Sequence, residues 1–255
     1  MEENIAIEVK GLQSEFGGTI IHENLNLSVY TGEIMALVGG SGCGKTTLLK
    51  QLLGLHKPTQ GEINILGIDI LKPNVDLHTV QRQWGVLFQQ GALFSSLTVL
   101  ENVVFPLKEL TDLSPETIES LAYLKMNMAQ FPLDSAQKYP SELSGGMLKR
   151  AAMARAIVMD PKLLFLDEPT SGLDPISAAA LDDLVVNLQK SLGLTIVLVT
   201  HDPDTLWKAV DRVAFLGDKR VLAVKPIAEL IEDPNPLIQA YFASSRTQRK
   251  AHHGD

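Results

Sequence analysis

The sequence predicts an α/β fold: a phosphate-loop core with an N-terminal antiparallel β-layer and an inserted helical subdomain. Three observations predict it. A glycine-rich loop, GGSGCGKT at 39–46, joins an apolar strand pattern to a helix pattern. Two apolar runs, KLLFLDEP and LTIVLVTHD, end in polar residues, as strands buried in a parallel sheet do. Between the loop and those runs lies a stretch of short helical segments broken by prolines. A length of 255 residues suits one such domain with an insertion.

Taken in order, IAIEV (5–9) and NLNLSV (24–29) read as strands, and two strands ahead of the loop suggest the antiparallel layer. EIMALVGG is a buried strand running into the loop, and KTTLLKQLLGL is a helix with one apolar face. KPTQGEINILG is a turn followed by an alternating strand, and QWGVLFQQ is a further strand. From Gly91 to about Lys149, helical segments are broken at Pro106, Pro115, Pro132 and Pro140. Ser114-Pro115-Glu116 starts one of them with an N-cap, a proline in the first turn and an early acid. A helix from about Pro175 to Leu192 is closed by Gly193. Short helices and the polar tail SSRTQRKAHHGD follow Lys225. The expected division is an α/β core at 1–90 and 151–230, a helical subdomain at 91–150 and a tail at 231–255.

A formal net charge of -8 disfavours general nucleic-acid binding, which needs phosphates neutralised by Lys and Arg. No run of eighteen apolar residues offers a membrane span, and MEENIAIEVKG lacks the apolar stretch of a signal peptide. One cysteine, Cys43, excludes an internal disulfide and suits a cytosolic setting.

Three motifs carry chemistry. In GGSGCGKT, Gly39, Gly42 and Gly44 permit a tight wrap that turns backbone N–H groups towards phosphate oxygens, at the positive end of a helix. Lys45 is placed to reach the β- and γ-phosphates of ATP, and Thr46 to put a hydroxyl on Mg²⁺. Gly40, Ser41, Cys43 and Thr47 complete the candidate ATP-binding set. In LLFLDEP, four apolar residues leave Asp167 and Glu168 at the carboxyl end of a strand, where open α/β sheets bind ligands. Asp167 suits Mg²⁺, held through water, and Glu168 suits a general base for the attacking water. Alone, the pair reads equally as a solvated acidic turn. In LSGGM (143–147), Ser144 and two glycines open a helix, which alone reads first as ordinary N-capping. Beside a complete phosphate loop, it is a second phosphate-binding terminus and suggests a second chain pressing on the same nucleotide.

The ordered set GGSGCGKT, FQQ, LSGGM, LLFLDEPTSGLD and LVTHD closely resembles the nucleotide-binding subunit of ABC transporters, over nearly the whole chain. The resemblance implies a P-loop NTPase core of the ABC type that hydrolyses ATP with Mg²⁺ in a homodimer closed over two shared ATP sites. It implies that Gln89 contacts Mg²⁺ and couples to a permease, and that Ser144, Gly145 and Gly146 bind the γ-phosphate held by the opposite chain. Ser171, Gly172, Leu173 and Asp174 match a loop across the dimer seam. His201 matches the histidine that meets the γ-phosphate, and Phe16 the ring that stacks on adenine. Three positions depart from the usual pattern: Met147 for glutamine, Phe16 for tyrosine and Cys43 for serine. None removes a catalytic group.

GALFSSLTVLENVVFPL and LSGGMLKRAAMARAI are similar to the ATPase subunits of Mce-type lipid transporters. That branch implies phospholipid transport across a Gram-negative envelope, at the cytoplasmic side of the inner membrane. It implies an integral membrane permease, an Mce-domain protein and a STAS-domain protein as partners. The run from Gly91 to Leu107 reads equally as a permease-docking surface and as core packing. Arg246, Arg249 and Lys250 read as a solvated tail before they read as a lipid contact. Two rivals are a single-domain ABC ATPase acting in assembly, and a nucleotide-binding regulatory module without turnover. Intact Lys45, Asp167, Glu168 and His201 argue against the second.

Overall fold

The structure, a computed structural model, describes residues 4–244. The chain forms two units, one made of residues up to Gln81 together with those from Val197, the other of Arg82–Ile196. The fold is α/β, as predicted.

The first unit opens with β1 (Ile5–Phe16), β2 (Thr19–Tyr30), β3 (Ile34–Gly39), α1 (Lys45–Leu52), β4 (Gln60–Ile65), β5 (Ile68–Asp69) and α2 (Leu77–Gln81). β1 pairs antiparallel with β2 (Ile7↔Val29) and with β4 (Ile7↔Ile65), and a four-stranded sheet runs β2-β1-β4-β5. The predicted antiparallel layer therefore exists, but half of its strands follow the phosphate loop. Ile7, Val9, Leu25, Leu27, Val29, Ile63 and Ile65 are all buried, so the apolar residues of the three long strands bury a common set. All six residues of β3 are buried.

The second unit contains β6 (Trp84–Leu87), α3 (Val99–Leu110), α4 (Pro115–Met128), α5 (Gly145–Ala156), β7 (Leu163–Asp167), α6 (Pro175–Leu192) and β8 (Thr195–Val199). β8 is divided: its first two residues belong to this unit and the rest to the first. Within the second unit the strands run β8-β7-β6, and β6 and β7 are parallel, from Trp84↔Leu163 to Leu87↔Leu166. Phe165 is buried in β7 and meets Trp84 edge-on at 6.0 Å, so Phe165→Ala costs about 3–5 kcal/mol by lost transfer energy and cavity formation.

Ser114 caps α4 and Pro115 opens it; Gly193, at φ 64°, closes α6. Pro106 corrects one expectation. It lies inside α3 and does not break it. A proline there forfeits one backbone hydrogen bond and about 3 kcal/mol against alanine. Opposing that loss are buried Val99, Val103, Val104 and Leu107 and a Thr98–Glu101 capping box. Asn102, fully buried, donates to the carbonyls of Phe94, Leu97 and Thr98 and anchors the segment entering the helix.

The chain then completes the first unit with α7 (Pro203–Ala209), β9 (Arg212–Gly217), β10 (Arg220–Lys225), α8 (Ile227–Leu230) and α9 (Pro236–Ser244). Here the strands run β10-β9-β3-β8, with β3 and β9 parallel and β10 antiparallel to β9. β9 and β10 had no counterpart in the sequence reading. Arg246, Arg249 and Lys250 lie outside the described residues. No helix among the described residues is long and apolar enough to cross a membrane.

Candidate functional site

The glycine-rich loop leaves the end of buried β3 and enters α1. Gly39 is obligatory there. A Cβ on it would lie 2.3 Å from the Leu216 carbonyl oxygen of β9. Gly44, at φ 99°, opens α1, and a Cβ on it would lie 2.3 Å from His22 Nε2. Ile21, Gly42, Gly44, Lys45, Thr46 and Thr47 line a groove of about 180 Å³. Gly40 and Ser41 are exposed just before it, and Cys43 is half-buried. The Lys45 ammonium donates to the Gly39 and Gly40 carbonyls at 2.7 and 3.0 Å and lies 3.7 Å from Cys43 Sγ. The groove thus offers a free helix N-terminus, glycine amides and one ammonium, which is the chemistry an anionic phosphate chain requires.

Phe16, at the end of β1, is 43 % exposed and meets His56 edge-on at 5.8 Å. One ring face of an exposed aromatic can take a planar base. His201 is exposed, two residues past β8. Beneath the loop, Ser14 Oγ lies 3.0 Å from His22 Nδ1, and the Gln51 amide donates to Ser14 at 2.7 Å. All three side chains are buried, and His22 Nε2 lacks a hydrogen-bond partner beside Gly44. Burial pulls the His22 pKa down, against the opposing pull of the Gly44 backbone and Gln51.

In the second unit, Asp167 and Glu168 stand half-buried at the end of β7. Glu168 has φ 48°, a left-handed backbone that is costly for a side chain other than glycine. Its carbonyl accepts from the Ser171 amide at 3.2 Å. Gln89 is exposed after β6 and donates from Nε2 to Ser171 Oγ at 3.4 Å. Lys149 belongs to none of the chemistry-bearing motifs read from the sequence. This residue of α5 is 4 % exposed and donates to the carbonyls of Gln89 and of Glu168, the latter at 3.3 Å. Burial lowers its pKa, and the charges of Asp167 and Glu168 pull it back up. Ser144 and Asp174 do not enter this network by any contact described. Ser144 Oγ caps α5 by accepting from the Met147 amide, and the Asp174 carboxylate caps α6 by accepting from Ile176 and Ser177. The Ser177 hydroxyl, donating at 2.6 Å, and then those amides hold the Asp174 carboxyl below its usual pKa. Gly145 is exposed and Gly146 half-buried in the first turn of α5, with a Cβ on Gly145 meeting Leu173 at 3.3 Å.

The chain is similar to proteins of known type. The family described as ABC transporter matches residues 22–171. The chain is 41% identical to the intermembrane phospholipid transport system ATP-binding protein MlaF of Haemophilus influenzae, over 91% of this chain and 88% of that one. It is 37% identical to the probable ribonucleotide transport ATP-binding protein mkl of Mycobacterium leprae, over 96% of this chain and 71% of that one. Among solved structures, the dimeric post-hydrolysis state of the ATP-binding cassette MJ0796, bound to ADP and Pi, superposes with a TM-score of 0.78 at 32% identity, over 87% of this chain and 98% of that one.

Proposed function

The chain belongs to the ABC transporter family as an ATP-binding, ATP-hydrolysing subunit, and from that premise we propose that it drives phospholipid transport across a Gram-negative envelope. The observation that carries the lipid reading is the 41% identity to MlaF along nearly the full length of both chains. The ribonucleotide reading attached to mkl rests on lower identity and covers less of that relative. The proposed working form is a homodimer at the cytoplasmic face of the inner membrane, beneath an integral membrane permease. An Mce-domain protein and a STAS-domain protein are its further partners.

In this reading the loop of Gly39–Thr47 cradles the phosphates of ATP, with Lys45 on the β- and γ-phosphates and Phe16 on the adenine. Thr46, Gln89 and Asp167 offer hydroxyl, amide and carboxylate oxygens, the donors a hard Mg²⁺ takes alongside water and phosphate oxygens. A Mg²⁺ held by these donors would supply positive charge that offsets the charge developing on the transferred phosphoryl group. Glu168 accepts a proton from the attacking water, and His201 and Gln89 position the γ-phosphate and that water. Ser144, Gly145, Gly146 and Asp174 of one chain complete the site held by the other chain. The stretch 91–150 is proposed as the helical subdomain through which the permease is moved.

The test is to purify the native complex, identify its membrane subunit, reconstitute it in bilayers and measure ATP hydrolysis and lipid movement between leaflets or acceptors. A polytopic membrane subunit and ATP-dependent movement of phospholipid are expected. ATP hydrolysis that moves ribonucleotides and no lipid would overturn the lipid reading. Absence of any membrane subunit would favour an assembly factor.

A further inference from the structure

Lys149 is an ammonium removed from water in the fifth position of α5, the helix whose first turn carries Gly145 and Gly146. A buried cation must be compensated, and this one is compensated by main-chain carbonyls as well as by nearby negative charge. The carbonyls are those of Gln89 and Glu168, the residues proposed to couple to the permease and to activate water. Glu168 sits in a left-handed backbone conformation at φ 48°, which is costly and persists only where neighbours hold it. Lys149 Nζ and the Ser171 amide are two such neighbours, both on its carbonyl. Gln89 closes the ring, its side-chain amide reaching Ser171 Oγ. One helix, two loops and a strand end therefore share a single circuit: Gln89 carbonyl, Lys149, Glu168 carbonyl, Ser171, Gln89 amide.

We propose that Lys149 is a positioning residue that ties the Gln89 loop to the strained backbone of Glu168, so that movement of that loop changes how the Glu168 carboxylate is presented. This rests on the ATPase reading of Glu168 and Gln89. A compact ammonium with three donors suits the task, because it can serve two carbonyls from one point. Loss of the tie is expected to spare ATP affinity, since the bonds Lys149 donates go to the main-chain carbonyls of Gln89 and Glu168. It degrades the chemical step, where misplacement of about 1 Å costs on the order of 10²-fold.

The experiment uses the complex reconstituted in bilayers, with Lys149→Met, Lys149→Gln, Lys149→Arg and Glu168→Gln. For each, kcat and KM for ATP are measured, and kcat is normalised to sites that bind a fluorescent ATP analogue, so that misfolded protein does not count. Lys149→Met is expected to lower normalised kcat about 10–100-fold with KM within about 3-fold, and Lys149→Arg to recover most of the loss. Lys149→Gln, neutral and still polar, is expected to fall between them and serves if the methionine variant does not assemble. Combined with Glu168→Gln, Lys149→Met should add little further loss, because the tie acts through Glu168. Wild-type normalised kcat in both neutral variants, or losses that multiply with Glu168→Gln, would overturn the tie. If Glu168→Gln itself turns over normally, the reading of Glu168 as base fails, which is a separate result from a silent Lys149.

Discussion

Cys43 is the single cysteine of the chain and stands half-buried in the phosphate loop, 3.7 Å from the Lys45 ammonium. Its neighbours Gly42 and Gly44 line the groove itself. A maleimide on this sulfur places bulk where phosphates sit, so labelling should abolish ATP hydrolysis and Mg-ATP should protect. Cys43→Ser should remain active and become insensitive. ATPase assays before and after labelling, with and without Mg-ATP, check this; an active, stoichiometrically labelled wild type would remove Cys43 from the phosphate border. The loop residues were legible in the sequence because their chemistry is written in eight consecutive positions, flanked by a strand and a helix. Lys149 was not legible. Its partners are carbonyls, which every residue carries, and they come from positions 60 and 19 away along the chain.

β1, β2 and α1 meet at Ser14, His22 and Gln51, a buried polar cluster whose imidazole is held below its usual pKa by burial. The sign of the linkage follows. Above about pH 6.5 His22 is neutral in both folded and unfolded chains and contributes no slope. As pH falls below that value, the unfolded chain binds a proton that the folded chain refuses, so stability declines until the lower folded pKa is passed. Thermal melts between pH 7.5 and 5.0 should show the wild-type midpoint falling more steeply than that of His22→Phe, in which Ser14 and Gln51 still satisfy each other. Parallel slopes would assign the pH dependence to other groups. α6 was legible because its first-turn proline and terminal Gly193 punctuate it on both sides. The persistence of α3 through Pro106 depends on a buried face and on Asn102, which local propensity does not register. β4 was legible as a strand, but its place beside β1 is a tertiary fact.

At the scale of the whole molecule, Ser144 and Asp174 serve their own helix ends by the contacts described, while Ser144 and Gly145 are also exposed. A two-fold dimer in which each site takes its loop from one chain and its Ser144 from the other makes a mixing experiment decisive. Chains with Lys45→Ala and chains with Ser144→Arg should each form homodimers without a complete site. Mixed in equal amounts, half of the dimers are heterodimers and each keeps one of two sites, so about a quarter of wild-type nucleotide occlusion should return. No recovery in a verified heterodimer would exclude the shared site.

β3, which delivers the phosphate loop, pairs with β9, and the Ile34 amide donates to the Asp211 carboxylate 177 residues later. During synthesis on the ribosome, the strand that must carry Gly39 is finished long before its neighbour exists, and the whole of Arg82–Ile196 emerges in between. That intervening segment is continuous in sequence and can fold as it appears, whereas the nucleotide loop must wait. The order of emergence therefore predicts that an incomplete chain does not bind ATP. In arrested nascent chains, protection of Cys43 by Mg-ATP should be absent until Arg212–Gly217 has left the exit tunnel, and protection in shorter chains would show that β3 shapes the loop without β9.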